Sequence, residues 1–172
     1  MTVQPGDILL WKIDAQASWI ERLVGWGERR AGQPKTEGAD FYHVGICGPD
    51  ALHFYDSAPG GVKNSLITEP WPDHLEAYRF KFPLTETQLA KFWSYANSQK
   101  GVGYNWIGAL TLGWVQVAGK PFCSEFVWRI CANAGIVLCD YQTFLSPDDL
   151  AHSDIIVKIG DVPPPVVPHS ES

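Results

Sequence analysis

Two short apolar runs, Phe41 to Cys47 and Ala51 to Tyr55, are separated by Gly48-Pro49-Asp50. Apolar runs of this length on either side of turn-forming residues are typical of a β-hairpin, whose strands are antiparallel. A further segment, Ala77 to Phe82, alternates between apolar and polar side chains and stops before Pro83, which indicates another strand. The sequence therefore predicts a sheet built from antiparallel neighbours.

Helical patterns lie mainly in the second half of the chain. Thr85 and Gln88 form a capping box at the start of a predicted helix over Thr85–Lys100. A second helix is expected to begin near Cys123 and to end before Gly135. We therefore predict the α+β class. Shorter elements are also predicted: strands at Ile8–Trp11 and Ile155–Ile159, a helix over about Trp19–Arg29 and a helix start at Ser146-Pro147.

The length of 172 residues suits one domain, which we place at residues 1–160. Residues 161–172 are rich in proline and are expected to form a disordered tail. The first residues have no basic region followed by an apolar run, so no signal peptide is predicted. The uncharged stretch Tyr104–Gly119 is short for a bilayer span, so it is expected to be buried or interfacial. Cytoplasmic and signal-independent exported locations both stay open.

Charge and cysteine spacing exclude several classes of function. The net charge is −6 and basic residues do not cluster beyond Arg29-Arg30, which argues against nucleic-acid binding. The four cysteines have no CxxC spacing and are expected to be free thiols. No cofactor is predicted. A zinc site is also not predicted, because strand alternation separates the nearby candidate ligands, which are His43, Cys47, His53 and Asp56.

Cys123 is the candidate nucleophile. It opens a predicted helix on the same face as Val127 and Ile130. Unsatisfied N–H groups and the helix dipole at that end favour a thiolate, which attacks carbonyl carbon. The same N–H groups can stabilise the oxyanion that results. A small buried hydrophobic role is the alternative for any single cysteine.

His43 is the candidate base. It starts a predicted strand in which Gly45 shares its face and leaves room beside it. An imidazole with an ordinary pKa near 6.5 can accept the thiol proton and return it to a leaving group. When His43 is considered alone, the alternative is an ordinary histidine at a strand edge.

The order of these segments resembles a known family. Tyr42-His43-Val44-Gly45-Ile46 followed by Pro121-Phe122-Cys123-Ser124-Glu125 is similar to the NlpC-type cell-wall peptidase superfamily, a branch of the papain-like fold. The histidine strand precedes the cysteine helix here, as in its circularly permuted members, whose relatives include the lecithin–retinol acyltransferase group. Further similar segments are Pro5–Leu9, Asp56–Val62, Gly103–Gly108 and Ser146–Leu150. The resemblance implies an antiparallel sheet or small barrel packed against helices, with the nucleophile at a helix N-terminus.

A third residue is needed to orient the imidazole. A two-residue hairpin turn would pair Gly48 with Ala51 and put Asp56 opposite His43, whereas a three-residue loop would turn His53 to that face. The resemblance favours Asp56, at a position where the permuted members usually have Glu. It also implies that Tyr104 lies near the nucleophile and supports an oxyanion or a substrate carbonyl. Glu125 lies too far round the helix to share the face of Cys123 and is expected to be structural.

These residues predict a cysteine peptidase or amidase that works through a thioester. The resemblance implies peptide amides as substrates, with cell-wall peptides or small amino-acid amides leading. Lipid ester or amide chemistry, including acyl transfer, is the first alternative, motivated by the permuted order and the uncharged segment before Cys123. A binding module that has lost turnover is the second alternative. The oligomeric state is left open.

Overall fold

A computed structural model describes residues 2–12, 41–67, 74–110, 117–139 and 145–162. It contains one open antiparallel sheet with strand order β4-β3-β2-β1-β5-β6. The chain is therefore α+β, as predicted, but β4 and β6 are edges and the expected small barrel is not formed. The strands are β1 (Ile8–Lys12), β2 (Phe41–Cys47), β3 (His53–Ala58), β4 (Gly61–Leu66), β5 (Leu75–Phe80) and β6 (Ile156–Val162).

Four helices lie in the described part of the chain: α1 (Glu86–Ser98), α2 (Trp106–Leu110), α3 (Cys123–Asn133) and α4 (Pro147–Ala151). The predicted capping box of Thr85 and Gln88 is present at the start of α1. Ser146 caps α4, with Pro147 in its first turn. After α3, Gly135 takes a φ of +79°, the left-handed conformation that ends many helices. None of the described helices is long and apolar enough to span a membrane.

The main core lies between the sheet and the helices. Val44 and Ile46 of β2 are fully buried there, against the face of α3 that carries Val127 and Ile130. A smaller core covers the opposite face around Trp11 and has its own buried set: Leu9, Trp11, Cys47, Phe54, Leu75 and Ala77. Because β1 is buried on both faces and lies next to β2, it gives the histidine strand a rigid neighbour.

The β3–β4 hairpin makes close contact with the loop that leads to Tyr104. Its strands pair Ala58 with Gly61 across a two-residue Pro-Gly turn. The Val62 N–H donates to the Val102 carbonyl at 2.8 Å, and the Gly101 N–H donates to the Val62 carbonyl at 2.9 Å. A Cβ at Gly61 would lie 2.4 Å from the Val102 oxygen. Glycine is therefore required at this position for the loop to approach the hairpin.

Two strands differ from the sequence prediction. β6 continues through Asp161 and Val162, which pair with Glu76 and Leu75, so the predicted tail does not begin at residue 161. β4 was not predicted, because its edge position leaves Lys63 and Asn64 exposed and removes the apolar alternation that marks a strand. The predicted helix over about Trp19–Arg29 and residues 163–172 of the predicted tail lie outside the described residues.

Substitutions at two neighbouring glycines can test the close approach of the β3–β4 hairpin to the loop at Val102. Gly60 and Gly61 both have positive φ, but a Cβ at Gly60 would meet nothing within 4 Å. We expect Gly60→Ala to lower the free energy of unfolding by about 1 kcal/mol from backbone strain alone. Gly61→Ala should cost at least about 2 kcal/mol more, because the Val102 carbonyl must move. Urea denaturation of both variants measures the difference, and equal losses would contradict the steric account.

Candidate active site

His43 lies on β2 beside a β-bulge. Trp11 pairs with His43 while Lys12 pairs with Phe41, so Tyr42 is the extra residue. The Trp11 indole contacts the imidazole with ring centroids 5.1 Å apart, and the Tyr42 ring stacks at 6.4 Å. Bulges often redirect a side chain beside a functional site. The bulge and the two rings fix the direction of the imidazole, whose side chain is 12% exposed.

Asp56 holds the imidazole from the next strand. His43 Nε2 lies 2.8 Å from Asp56 Oδ2, and Asp56 is fully buried. Asp56 is directly opposite Gly45 in the ladder, two positions along β2 from His43. A Cβ at Gly45 would lie 3.0 Å from both the Phe54 ring and the Tyr55 carbonyl oxygen. The small residue therefore lets β3 approach closely enough for the carboxylate to reach along the face to the imidazole.

The hairpin between β2 and β3 has neither of the two loop lengths that the sequence predicts. Gly48 N–H bonds to the His53 carbonyl at 2.7 Å, which leaves a four-residue loop. Asp50 Oδ1 accepts the Leu52 and His53 N–H groups at 3.0 Å each and holds this loop together. The register differs by two residues from that of the two-residue turn. Because side chains alternate with a period of two, Asp56 stays on the face of His43.

His53 is not brought to His43. Its Nδ1 bonds to Asp50 Oδ2 at 2.6 Å, in an exposed pair at the hairpin loop. It also points to the opposite face of β3 from Asp56, because the two residues are an odd number of positions apart. The structure therefore does not bring His53, the alternative third residue, to the imidazole of His43.

Cys123 is the first residue of α3 and is 4% exposed. Phe122, in extended conformation at the N-cap, offers no side-chain cap to the first helical amides. An uncapped helix N-terminus presents N–H donors and a positive partial charge to the thiol. These N–H donors can bind an oxyanion that forms beside the sulfur.

The imidazole of His43 interacts with both Asp56 and Cys123. Burial alone would lower the pKa of His43, but hydrogen bonding to Asp56 and Cys123, with their negative charges, raises it to about 10. Since Nε2 is engaged by Asp56, Nδ1 is the ring nitrogen left for the thiol. The arrangement can hold an imidazolium against a thiolate, or can take the thiol proton.

Tyr104 belongs to the same cluster. Burial raises the pKa of its phenol, and the negative charges of Cys123 and Asp56 raise it further. The hydroxyl therefore stays protonated and can donate a hydrogen bond at neutral pH. Its ring packs edge-on against Trp106, with centroids 5.2 Å apart. The structure thus brings together the predicted Cys123, His43, Asp56 and Tyr104.

The groups that shift the pKa values of Cys47 and Cys131 include no histidine. Burial raises the pKa of Cys47 to about 12, with Asp7 and Asp50 adding to the effect. Burial also raises the pKa of Cys131, with a smaller effect from Cys139. All four cysteines are free thiols, as predicted.

Glu125 has a structural role, as predicted. It is buried and pairs with Arg129 at 2.6 Å, one turn along α3. Burial raises the pKa of Glu125, against Arg129 and a hydrogen bond from the Phe122 backbone. These contacts fix the first turn of the helix that carries Cys123.

Sequence reasoning missed two residues that shape the site. Trp11 contacts the imidazole, but in the sequence it is one more apolar residue in a buried strand. Ser57 donates to the Pro121 carbonyl at 2.8 Å, two residues before Cys123. Its partner is 64 positions away along the chain, so no local pattern could have indicated the contact.

No protein-family model matches this chain, and no curated protein matches it. Among solved structures, the metalloprotein yiiX from Escherichia coli O157:H7, DUF1105, is similar, with a TM-score of 0.69. The two chains are 16% identical, and the match covers 95% of this chain and 100% of that chain. At this identity the similarity shows a shared fold alone.

The raised pKa of His43 predicts how the free energy of unfolding depends on pH. Because the folded value of about 10 exceeds the ordinary 6.5, the folded state holds a proton that the unfolded state releases between these values. Wild type should therefore be stabilised relative to His43→Gln in full below about pH 6.5, and this advantage should be lost as the pH rises towards 10. Urea denaturation at pH 6, 8 and 10 measures the difference. An advantage that grows with pH would contradict the assignment.

Proposed function

We propose that this protein is a cysteine hydrolase of the circularly permuted, papain-like NlpC type, which cleaves amide bonds through a thioester. The observation that carries the proposal is the buried His43–Asp56 pair at 2.8 Å, which interacts with a cysteine at a helix N-terminus. A nucleophile, a base and a residue that orients the base are the parts that this chemistry needs. The open antiparallel sheet, with α3 packed on β2 and β3, is consistent with the proposed fold.

Acylation starts at the thiol. The raised pKa of His43 keeps the proton of Cys123 Sγ on the imidazole, and the sulfur attacks the carbonyl carbon of the substrate to form a C–S bond. The carbonyl oxygen becomes an oxyanion, which accepts hydrogen bonds from the first amides of α3 and from the Tyr104 hydroxyl. When the C–N bond breaks, the departing amine takes the proton from the imidazolium and a thioester is left on Cys123.

Deacylation reverses these roles. His43 takes a proton from water, and the hydroxide oxygen attacks the thioester carbonyl. The C–S bond breaks, the carboxylic acid leaves, and the sulfur recovers a proton from the imidazolium. Asp56 accepts the Nε2 hydrogen bond throughout and keeps Nδ1 directed at the reacting atoms.

Peptide amides, including cell-wall peptides and small amino-acid amides, are the substrates that the family resemblance favours. A lipid ester or amide is the second candidate. It is favoured by two large apolar side chains at the start of α2, beside Tyr104. Trp106 is 42% exposed and Ile107 is 53% exposed, and together they offer an apolar surface next to the site.

The similar structure is described as a metalloprotein, which raises the question of metal ligation at this site. His43 Nε2 and Asp56 Oδ2 bond directly to each other. In the described ranges, no three His, Cys, Asp or Glu side chains are placed to hold a metal ion. Within the part of the chain that the structure describes, the residues therefore do not fit a metal site.

Alkylation by iodoacetamide tests the proposal before any substrate is known. At about pH 6.5, Cys123 should react at least tenfold faster than Cys47 or Cys131, because Cys123 has an imidazole partner and the groups that act on the other two thiols include no histidine. His43→Ala should remove the advantage, whereas the matched change His53→Ala should preserve it. Peptide mapping by mass spectrometry assigns the label. Equal slow labelling of all four cysteines would rule out an activated nucleophile and favour a binding module.

Turnover assays separate the two substrate classes and the two third-residue candidates. We expect release of amine from peptide amides, with Asp56→Ala lowering kcat by roughly 100-fold because the imidazole loses its orientation. His53→Ala should change kcat by less than about twofold, since its pair with Asp50 is exposed. Activity on acyl lipids without activity on peptides would favour the lipid alternative.

A further inference from the structure

One backbone carbonyl joins three segments of the proposed site. The Pro121 oxygen, in the loop that leads into α3, accepts a hydrogen bond from Ser57 Oγ at 2.8 Å. It also accepts a longer one from the Asn105 N–H at 3.5 Å. Ser57 follows Asp56, Asn105 follows Tyr104, and Pro121 precedes Cys123 by two residues. Each partner is thus next to, or nearly next to, a residue of the site.

The Ser57 contact is the shorter of the two and lies in the interior. Ser57 is fully buried, so water does not compete for the Pro121 carbonyl. A buried hydrogen bond of this kind fixes the distance between its two segments. The segments here are β3, which carries Asp56, and the start of α3, which carries Cys123.

The same hairpin also holds the Tyr104 loop. Val62, which pairs with Ser57 across the β3–β4 ladder, makes the two backbone hydrogen bonds to Val102 and Gly101. A shift of the Pro121 loop away from Ser57 would therefore not be shared by Asp56. It would change the distance from the thiol to the imidazole that Asp56 holds.

We propose that Ser57 is a positioning residue, which sets the placement of Cys123 relative to His43 by holding the Pro121 carbonyl. The inference rests on the proposed function. Ser57 does not contact the reacting atoms, and it acts through the α3 N-terminus. Its loss should weaken the contact between thiol and imidazole while the fold is kept.

The test compares Ser57→Ala with Ser57→Thr and Ser153→Ala. Ser57→Thr keeps the hydroxyl donor. Ser153 is a matched control, because it is also a buried serine that donates to a backbone carbonyl, that of Leu138. Each variant is alkylated with iodoacetamide from about pH 6 to 10, with mass-spectrometric mapping of Cys123, and its thermal unfolding is recorded in parallel.

At about pH 6.5, Ser57→Ala should label Cys123 roughly tenfold more slowly than wild type, with the difference shrinking towards pH 10. Ser57→Thr and Ser153→Ala should stay within about twofold of wild type. A pH-independent slowing would reflect changed access and would overturn the proposal, as would labelling like wild type. Loss of the fold in Ser57→Ala alone would overturn it too, since Ser57 would then serve the fold.

Labelling of the wild-type protein distinguishes a failure of this inference from a failure of the proposed function. If Cys123 of wild type reacts no faster than Cys131 at about pH 6.5, the proposed function fails and Ser57 has no activated thiol to position. If wild type shows the fast reaction and Ser57→Ala retains it, only the positioning role fails.

Discussion

The contact on which the proposed site depends is the hydrogen bond between His43 Nε2 and Asp56 Oδ2. A fully buried carboxylate is costly unless it has a partner, and the imidazole is the partner that the described residues supply. Burial would otherwise keep His43 neutral, yet its pKa is raised to about 10 by its hydrogen bonds and by the nearby negative charges. The imidazole therefore holds its proton in the interior, where the Asp56 carboxylate balances its charge, next to Cys123.

The backbone around this pair is built to bring distant segments together. The bulge at Tyr42 and the packing of Trp11 direct the imidazole, while Gly45 admits the strand that carries Asp56. The β3–β4 hairpin then approaches the Tyr104 loop at Gly61 and the α3 loop through Ser57. Small residues and a hydroxyl thus make contacts that bulky side chains would prevent, although none of them reacts.

Helix starts and buried strands could be predicted from the sequence because their signals are local. The capping boxes and the apolar runs each lie within a few residues, and β1, β2, α1, α3 and α4 follow them. The hairpin register could not be predicted, since Asp50 organises a four-residue loop through its own side chain. β4 was missed because an exposed edge strand has no need for apolar alternation.

Part of the site could be predicted because its sequence signals are also local. Cys123 and His43 have recognisable local settings, and Asp56 kept its face although the register moved by two residues. His53 was a reasonable candidate only while the loop length was open. Trp11, Ser57 and the Pro121 carbonyl act through contacts between residues far apart in the sequence, which a single sequence does not display.

A covalent intermediate is the central claim of the proposed mechanism. Intact-mass measurement after brief mixing with p-nitrophenyl acetate, followed by peptide mapping, tests it directly. The account predicts one acetyl group on Cys123, released again on standing in water, with no fast adduct in Cys123→Ala and a much slower one in His43→Ala. Acetylation that is spread over other residues, or that is unaffected by the loss of His43, would contradict it.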